Sequence, residues 1–83
     1  MAYKVLFKAS VKKDLRNIDK KEIKKIIDAI VGKLAENPKA GKRLTGDFSG
    51  LFSYRTGDYR IVYAALKDTI LVLRIGHRKD VYK

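Results

Sequence analysis

LFSYRTGDYRIVYAALKDTILVLRIG, residues 51–76, decides the fold. Three runs within it, Leu51 to Arg55, Tyr59 to Leu66 and Thr69 to Gly76, are rich in aromatic and β-branched residues, which suit a pleated, half-buried surface. They are parted by Thr56-Gly57-Asp58 and Lys67-Asp68, links of hairpin length. The stretch predicts a three-stranded antiparallel meander. Strict alternation puts Phe52, Tyr54, Ile61, Tyr63, Leu71, Leu73 and Ile75 on one face and Ser53, Arg55, Arg60 and Arg74 on the other. The apolar face needs a cover, and the arginine face is expected to stay open, with basic residues from three neighbouring strands converging on it.

The upstream sequence supplies the cover. Tyr3 to Lys8 alternates with period two and predicts a first strand. From Ala9 the period becomes helical: Val11, Leu15 and Ile18 share a face, with Ser10 as the expected cap. Asp19 followed by Glu22 resembles a capping box. Behind it Ile23, Ile26, Ile27, Ile30, Val31 and Leu34 form one apolar stripe on a second helix, which Asn37-Pro38 ends because proline cannot continue the hydrogen-bond ladder. Lys39 to Gly50 reads as a loop with a short strand around Leu44. The expected order is β-α-α-β-β-β: an α+β fold, one domain over residues 1–83, with an antiparallel sheet and two helices packed on one face.

Twenty Lys plus Arg against nine Asp plus Glu give a net charge of +11 on 83 residues, which points to a polyanionic partner. With 46% hydrophobic residues the chain still has the material for a core. There is no cysteine, which excludes a disulfide scaffold, a cysteine zinc site and thiol catalysis. His77 is the single histidine and cannot build a multi-histidine metal site, so neither metal nor cofactor is expected. No apolar run approaches the about 20 residues of a membrane span, and the first residues lack the form of a signal peptide. A soluble, cytoplasmic chain with no membrane partner is expected.

The charge differs in kind along the chain. Residues 1–42 carry eleven Lys and one Arg, whereas residues 43–83 carry five Arg and three Lys. Arginine presents a planar fork suited to bidentate phosphate recognition, while lysine is a hydrated point charge. A specific phosphate site is therefore expected in the second half. His77 is the one side chain that titrates near neutrality unperturbed, which makes it a candidate acid or base.

Gly57-Asp58-Tyr59-Arg60-Ile61-Val62-Tyr63, followed after one strand by Ile75-Gly76-His77-Arg78-Lys79-Asp80-Val81-Tyr82, resembles the signature of the RelE/ParE toxin superfamily. Tyr3-Lys4-Val5-Leu6-Phe7 at the start, Lys13-Asp14-Leu15, Leu34-Ala35-Glu36-Asn37-Pro38 and Leu44-Thr45-Gly46 resemble the same family in the same order. The similarity spans nearly the whole chain. Each motif alone is weak, and their succession in register is specific.

The resemblance implies the toxin of a type II toxin–antitoxin pair, held inactive by a cognate, RelB-like antitoxin in a toxin–antitoxin hetero-oligomer. RelE-type members enter the A site of the 30S ribosomal subunit and cleave mRNA. ParE-type members share the fold and poison DNA gyrase without catalysis, and a plain basic nucleic-acid-binding module is a third reading. Cleavage in the family is metal-independent attack by the ribose 2′-hydroxyl on the adjacent phosphate. It requires a base, an acid and cations that meet the growing phosphoryl charge.

By the same resemblance Arg60 contacts the scissile phosphate, Arg78 stabilises the transition state, and Tyr82 stacks on a base or transfers a proton. Ser53, Arg55, Arg74, Lys79, Lys42 and Arg43 are the expected RNA contacts around them. Two alternating lysines of the RelE pattern fall here on Leu51 and Ser53, so the family's lysine base is absent. The alternatives are proton transfer by His77 or Tyr82, weaker catalysis, or no RNA cleavage.

Overall fold

A computed structural model describes residues 3–44 and 50–77. Along them run β1 (Lys4–Phe7), α1 (Ala9–Arg16), α2 (Lys20–Ala29), β2 (Lys42–Arg43), β3 (Phe52–Thr56), β4 (Tyr59–Ala65) and β5 (Thr69–His77). The strands form one sheet in the order β1-β5-β4-β3-β2. The meander of β3, β4 and β5 is antiparallel, as its hairpin links predict, and the two-residue β2 pairs antiparallel with β3. β1 departs from the expected antiparallel sheet and lies parallel to β5. Parallel neighbours cannot be joined by a tight turn, and both helices and three strands lie between these two.

Both helices lie against one face. Val11, Ile18, Ile26, Ile30 and Leu34 from the helical half close a core with Ile61, Tyr63, Ile70, Val72 and Ile75 from the sheet. The periodicities select most of these residues, and two local irregularities shift the rest. α2 runs on into a π turn over Ile30–Leu34, closed by Ala35 N donating to Ile30 O at 2.9 Å. The wider turn rotates the stripe, so Val31, expected inside, is 55% exposed, while Leu34 and Ala35 are buried.

The second irregularity is in β5. Val62 faces Arg74 and Tyr63 faces Val72, which leaves Leu73 as the extra residue of a bulge. A bulge breaks strict alternation. Ile70 and Val72, rather than the expected Leu71 and Leu73, therefore enter the core beside Ile75. Leu71 instead aligns with Ala64 and Leu6 on the opposite face.

The bulge lies where β1 stops and α1 takes over the edge of β5. Lys8 N donates to Val72 O, Ser10 Oγ donates to Leu73 O at 2.8 Å, and Ile75 N donates to Asp14 Oδ2 at 3.0 Å. Polar side chains of a helix thus satisfy strand groups that no neighbouring strand reaches. Ser10 is consequently not the cap of α1, a position held by Lys8. Asp19 does occupy the cap position of α2, without a side-chain hydrogen bond.

The chain returns from the helices to the sheet through Pro38–Gly41, and a core tyrosine holds it there. The Tyr63 hydroxyl donates to Pro38 O at 2.7 Å and accepts from Gly41 N at 3.0 Å. Gly41 sits so close that a Cβ would lie 2.6 Å from the Tyr63 oxygen and 3.0 Å from Ser53 O. This contact sets β2 alongside β3. At the opposite end of β3, Gly57 has φ +59° in the two-residue turn to β4, a conformation glycine adopts without strain.

Candidate nucleic-acid interface

The face without helices carries the expected basic residues, and the register shows which of them meet. Lys42 is the cross-strand partner of Ser53, Ser53 of Val62, and Arg55 of Arg60. Paired residues in a sheet share a face. Lys42, Ser53, Arg55 and Arg60 accordingly line one groove of about 290 Å³, together with Ala40, Leu44 and Tyr54. Ser53 forms its floor at 6% exposure, Arg60 is half-buried, and Lys42 and Arg55 stand exposed at its rim. Among the described residues no acidic side chain lines it.

Arg55 and Arg60 face each other directly across the hairpin, and like charges so placed disfavour one another. Guanidinium donors on two strands and an ammonium on a third line this groove, a donor set suited to a phosphate. Lys42 owes its place to the Tyr63 anchor beneath the sheet. Burial pushes the Tyr63 phenol above its ordinary value of 10.0, against a lowering contribution from the Gly41 hydrogen bond, and the neighbouring Tyr54 raises it further.

Other expected contacts are placed elsewhere. Arg43, next to Lys42 on a two-residue strand, points to the helix-covered side and lies over the Phe52 ring at 5.9 Å. Arg74 shares the open face by register, but its Nε donates to Asp14 Oδ2 at 3.1 Å and its Nη2 approaches Asp14 Oδ1 at 3.4 Å. Its guanidinium is thereby drawn to α1, away from Arg60. His77 is the partner of Tyr59, whereas Arg60 pairs with Gly76, so the His77 ring lies on the face opposite Arg60. The two rings meet edge to face at 5.9 Å and border a separate recess with Asp14 and Arg74. Arg78, Lys79 and Tyr82 lie outside the described residues.

Asp14 and Tyr63 position site residues, and the sequence reading did not single them out for this. Asp14 reads as a solvated acid on a basic helix, and Tyr63 as one more core aromatic. Only the hydrogen bonds of the folded chain show that the first engages Arg74 and the second carries the loop before Lys42. Among the described residues no helix is long and apolar enough to cross a membrane.

Comparison with known proteins adds the context. Residues 5–82 match the family described as the ParE toxin of type II toxin–antitoxin systems. The chain is 31% identical to toxin RelG of Mycobacterium tuberculosis over 86 residues, covering 100% of this chain and 99% of the relative. It is 40% identical to toxin RelE of the same organism over 85 residues, covering 98% and 87%. Among solved structures it is similar to the toxin–antitoxin complex RelBE2 of Mycobacterium tuberculosis, with a TM-score of 0.88, 30% identity, and coverage of 94% of this chain and 100% of that one.

Proposed function

The chain belongs to the ParE toxin family and is a type II toxin of the RelE/ParE kind, and we propose that it arrests translation by cutting mRNA on the ribosome. The observation that carries this reading is the groove in which Lys42, Arg55 and Arg60 surround the buried Ser53. Three cations from three strands, with no carboxylate lining the groove among the described residues, suit a phosphate whose charge grows in the transition state.

In this reading the ribose 2′-oxygen attacks the adjacent phosphorus while its proton passes to a base. The bond from phosphorus to the 5′-oxygen breaks, and that oxygen takes a proton from an acid. The products are a 2′,3′-cyclic phosphate and a 5′-hydroxyl. Arg60 binds the phosphate, with Arg55 and Lys42 adding charge at the rim. Gly76, the partner of Arg60, precedes Arg78 by two residues, so Arg78 and Tyr82 are proposed to complete the site. The orientation of His77 toward Tyr59 favours Tyr82 for proton transfer.

The partner in this reading is an antitoxin of acidic character that covers basic surface on the toxin, as complementary charge favours. The RelBE2 relative is itself a toxin–antitoxin complex. The decisive experiment adds the purified chain to a translation extract and maps message ends by primer extension. Breaks at ribosome-occupied codons, abolished by Arg60→Ala, are the expected result. Intact message under arrested translation overturns the proposal.

A second reading is a ParE-type poison of DNA gyrase. The buried Ser53 and half-buried Leu51, where RelE-type toxins carry lysines, favour it. Induction of DNA damage signalling with intact message would distinguish it.

A further inference from the structure

A second and larger groove, of about 580 Å³, lies at the opposite end of β3 from the Gly57 turn and is lined from the helix-covered side of the sheet. Its apolar surface comes from Tyr3, Pro38, Phe52 and Leu66, and its cations are Lys39 and Arg43. Among the described residues no acidic side chain lines it. Leu66 is 51% exposed, a large apolar side chain left in water at the turn between β4 and β5. Arg43 rests on the Phe52 ring, which orients a cation beside an aromatic surface.

We propose that this groove is an anchor for the antitoxin, receiving an apolar side chain of an acidic segment whose flanking carboxylates pair with Lys39 and Arg43. The inference rests on the reading that the chain has an antitoxin partner. It does not depend on mRNA being the target. Two features select this occupant. The apolar surface suits a buried side chain, which a bare phosphate backbone does not offer. The cations at its margin, with no carboxylate lining the groove among the described residues, favour negative charge on the same partner.

The anchor and the phosphate groove are built back to back. Lys42 and Arg43 are consecutive on β2 and serve opposite faces of the sheet. Antitoxin grip and toxic activity should therefore be separable by mutation.

The test coexpresses the chain with the product of the adjacent reading frame and measures their affinity by calorimetry. Lys39→Glu/Arg43→Glu is compared with Lys12→Glu/Lys24→Glu, which makes the same change in net charge on the exposed helices. The expected result is at least a tenfold greater loss of affinity for the groove variant. Leu66→Asp should also weaken the complex at least tenfold, while the free variant arrests growth as the unaltered chain does. Equal losses in the two charge variants, or unchanged affinity with Leu66→Asp, overturn the proposal. Loss of growth arrest in a folded Leu66→Asp chain assigns the groove to the toxic target and overturns it too. If the adjacent product does not bind at all, the partner reading falls and the anchor with it. If the message stays intact but the anchor variants release the antitoxin, only the mRNA reading falls.

Discussion

Arg55 and Arg60 are direct cross-strand partners on the face of the sheet that no helix covers. Two guanidinium groups so placed offer donors from two strands to one anion. Arg60→Ala should lower message cleavage by about 10² to 10³-fold, the range for removing one preorganised donor to developing charge. Arg60→Lys should recover only part of this, because an ammonium lacks the bidentate fork. Single-turnover cleavage on programmed ribosomes reads both. Full activity in Arg60→Ala would remove this groove from the mechanism.

Lys42 and Arg43 are neighbours in sequence but occupy opposite faces, and their removal should differ accordingly. Lys42→Ala should reduce the slope of log affinity against log salt for a single-stranded oligonucleotide by about 0.7, the value for one phosphate contact. Arg43→Ala should leave that slope unchanged. Equal effects would mean that general basicity, rather than the groove, binds the strand.

Tyr63→Phe leaves Pro38 O and Gly41 N without their shared partner and should cost about 1–3 kcal/mol of stability. Alkali provides an independent check. The folded phenol titrates above its unfolded value of about 10. Its contribution is therefore complete below the unfolded value and is lost as pH rises through the folded one. Above pH 10 the parent should lose stability more steeply than Tyr63→Phe. Parallel urea midpoints for the two across that range would contradict the tyrosine's role.

Asp14→Ala should destabilise the end of β5, because Ile75 N loses its acceptor and Arg74 its ion partner. A cost of about 1–3 kcal/mol is expected, and each 1 kcal/mol lowers the melting temperature by about 4–8 °C in a domain of this size. Asp14→Asn should lose less, since its amide oxygen can still accept from Ile75 N. Hydrogen exchange at Ile75 reads the effect locally, and unchanged protection in Asp14→Ala would contradict it.

The meander, the helical stripe and the basic open face are legible in the sequence because each is a periodic pattern several residues long. The pairing of β1 with β5 is not, because it joins residues some 65 apart with no local signal. The β5 face inversion escaped for another reason. Ile70 to Leu73 are all apolar, so nothing in the run shows where alternation slips, and only the edge contacts of α1 reveal the bulge. Of the site, Arg55, Arg60 and Ser53 follow from parity within one hairpin. Lys42 and Arg43 could not be told apart, since two residues carry no period, and the face of His77 depends on its partner Tyr59.

The hydroxyl of Tyr63 links the buried core to the exposed groove. The same oxygen that completes the core fixes the loop from which Lys42 extends. A selection for survival of this toxin should therefore recover changes at two uncharged positions, Tyr63 and Gly41, along with the arginines. If the chain cuts mRNA as proposed, such survivors would keep every cation and still bind RNA, but no longer hold it in the geometry for cleavage. Loss of one oxygen atom beneath the sheet would then be as effective an antidote as loss of a charge above it.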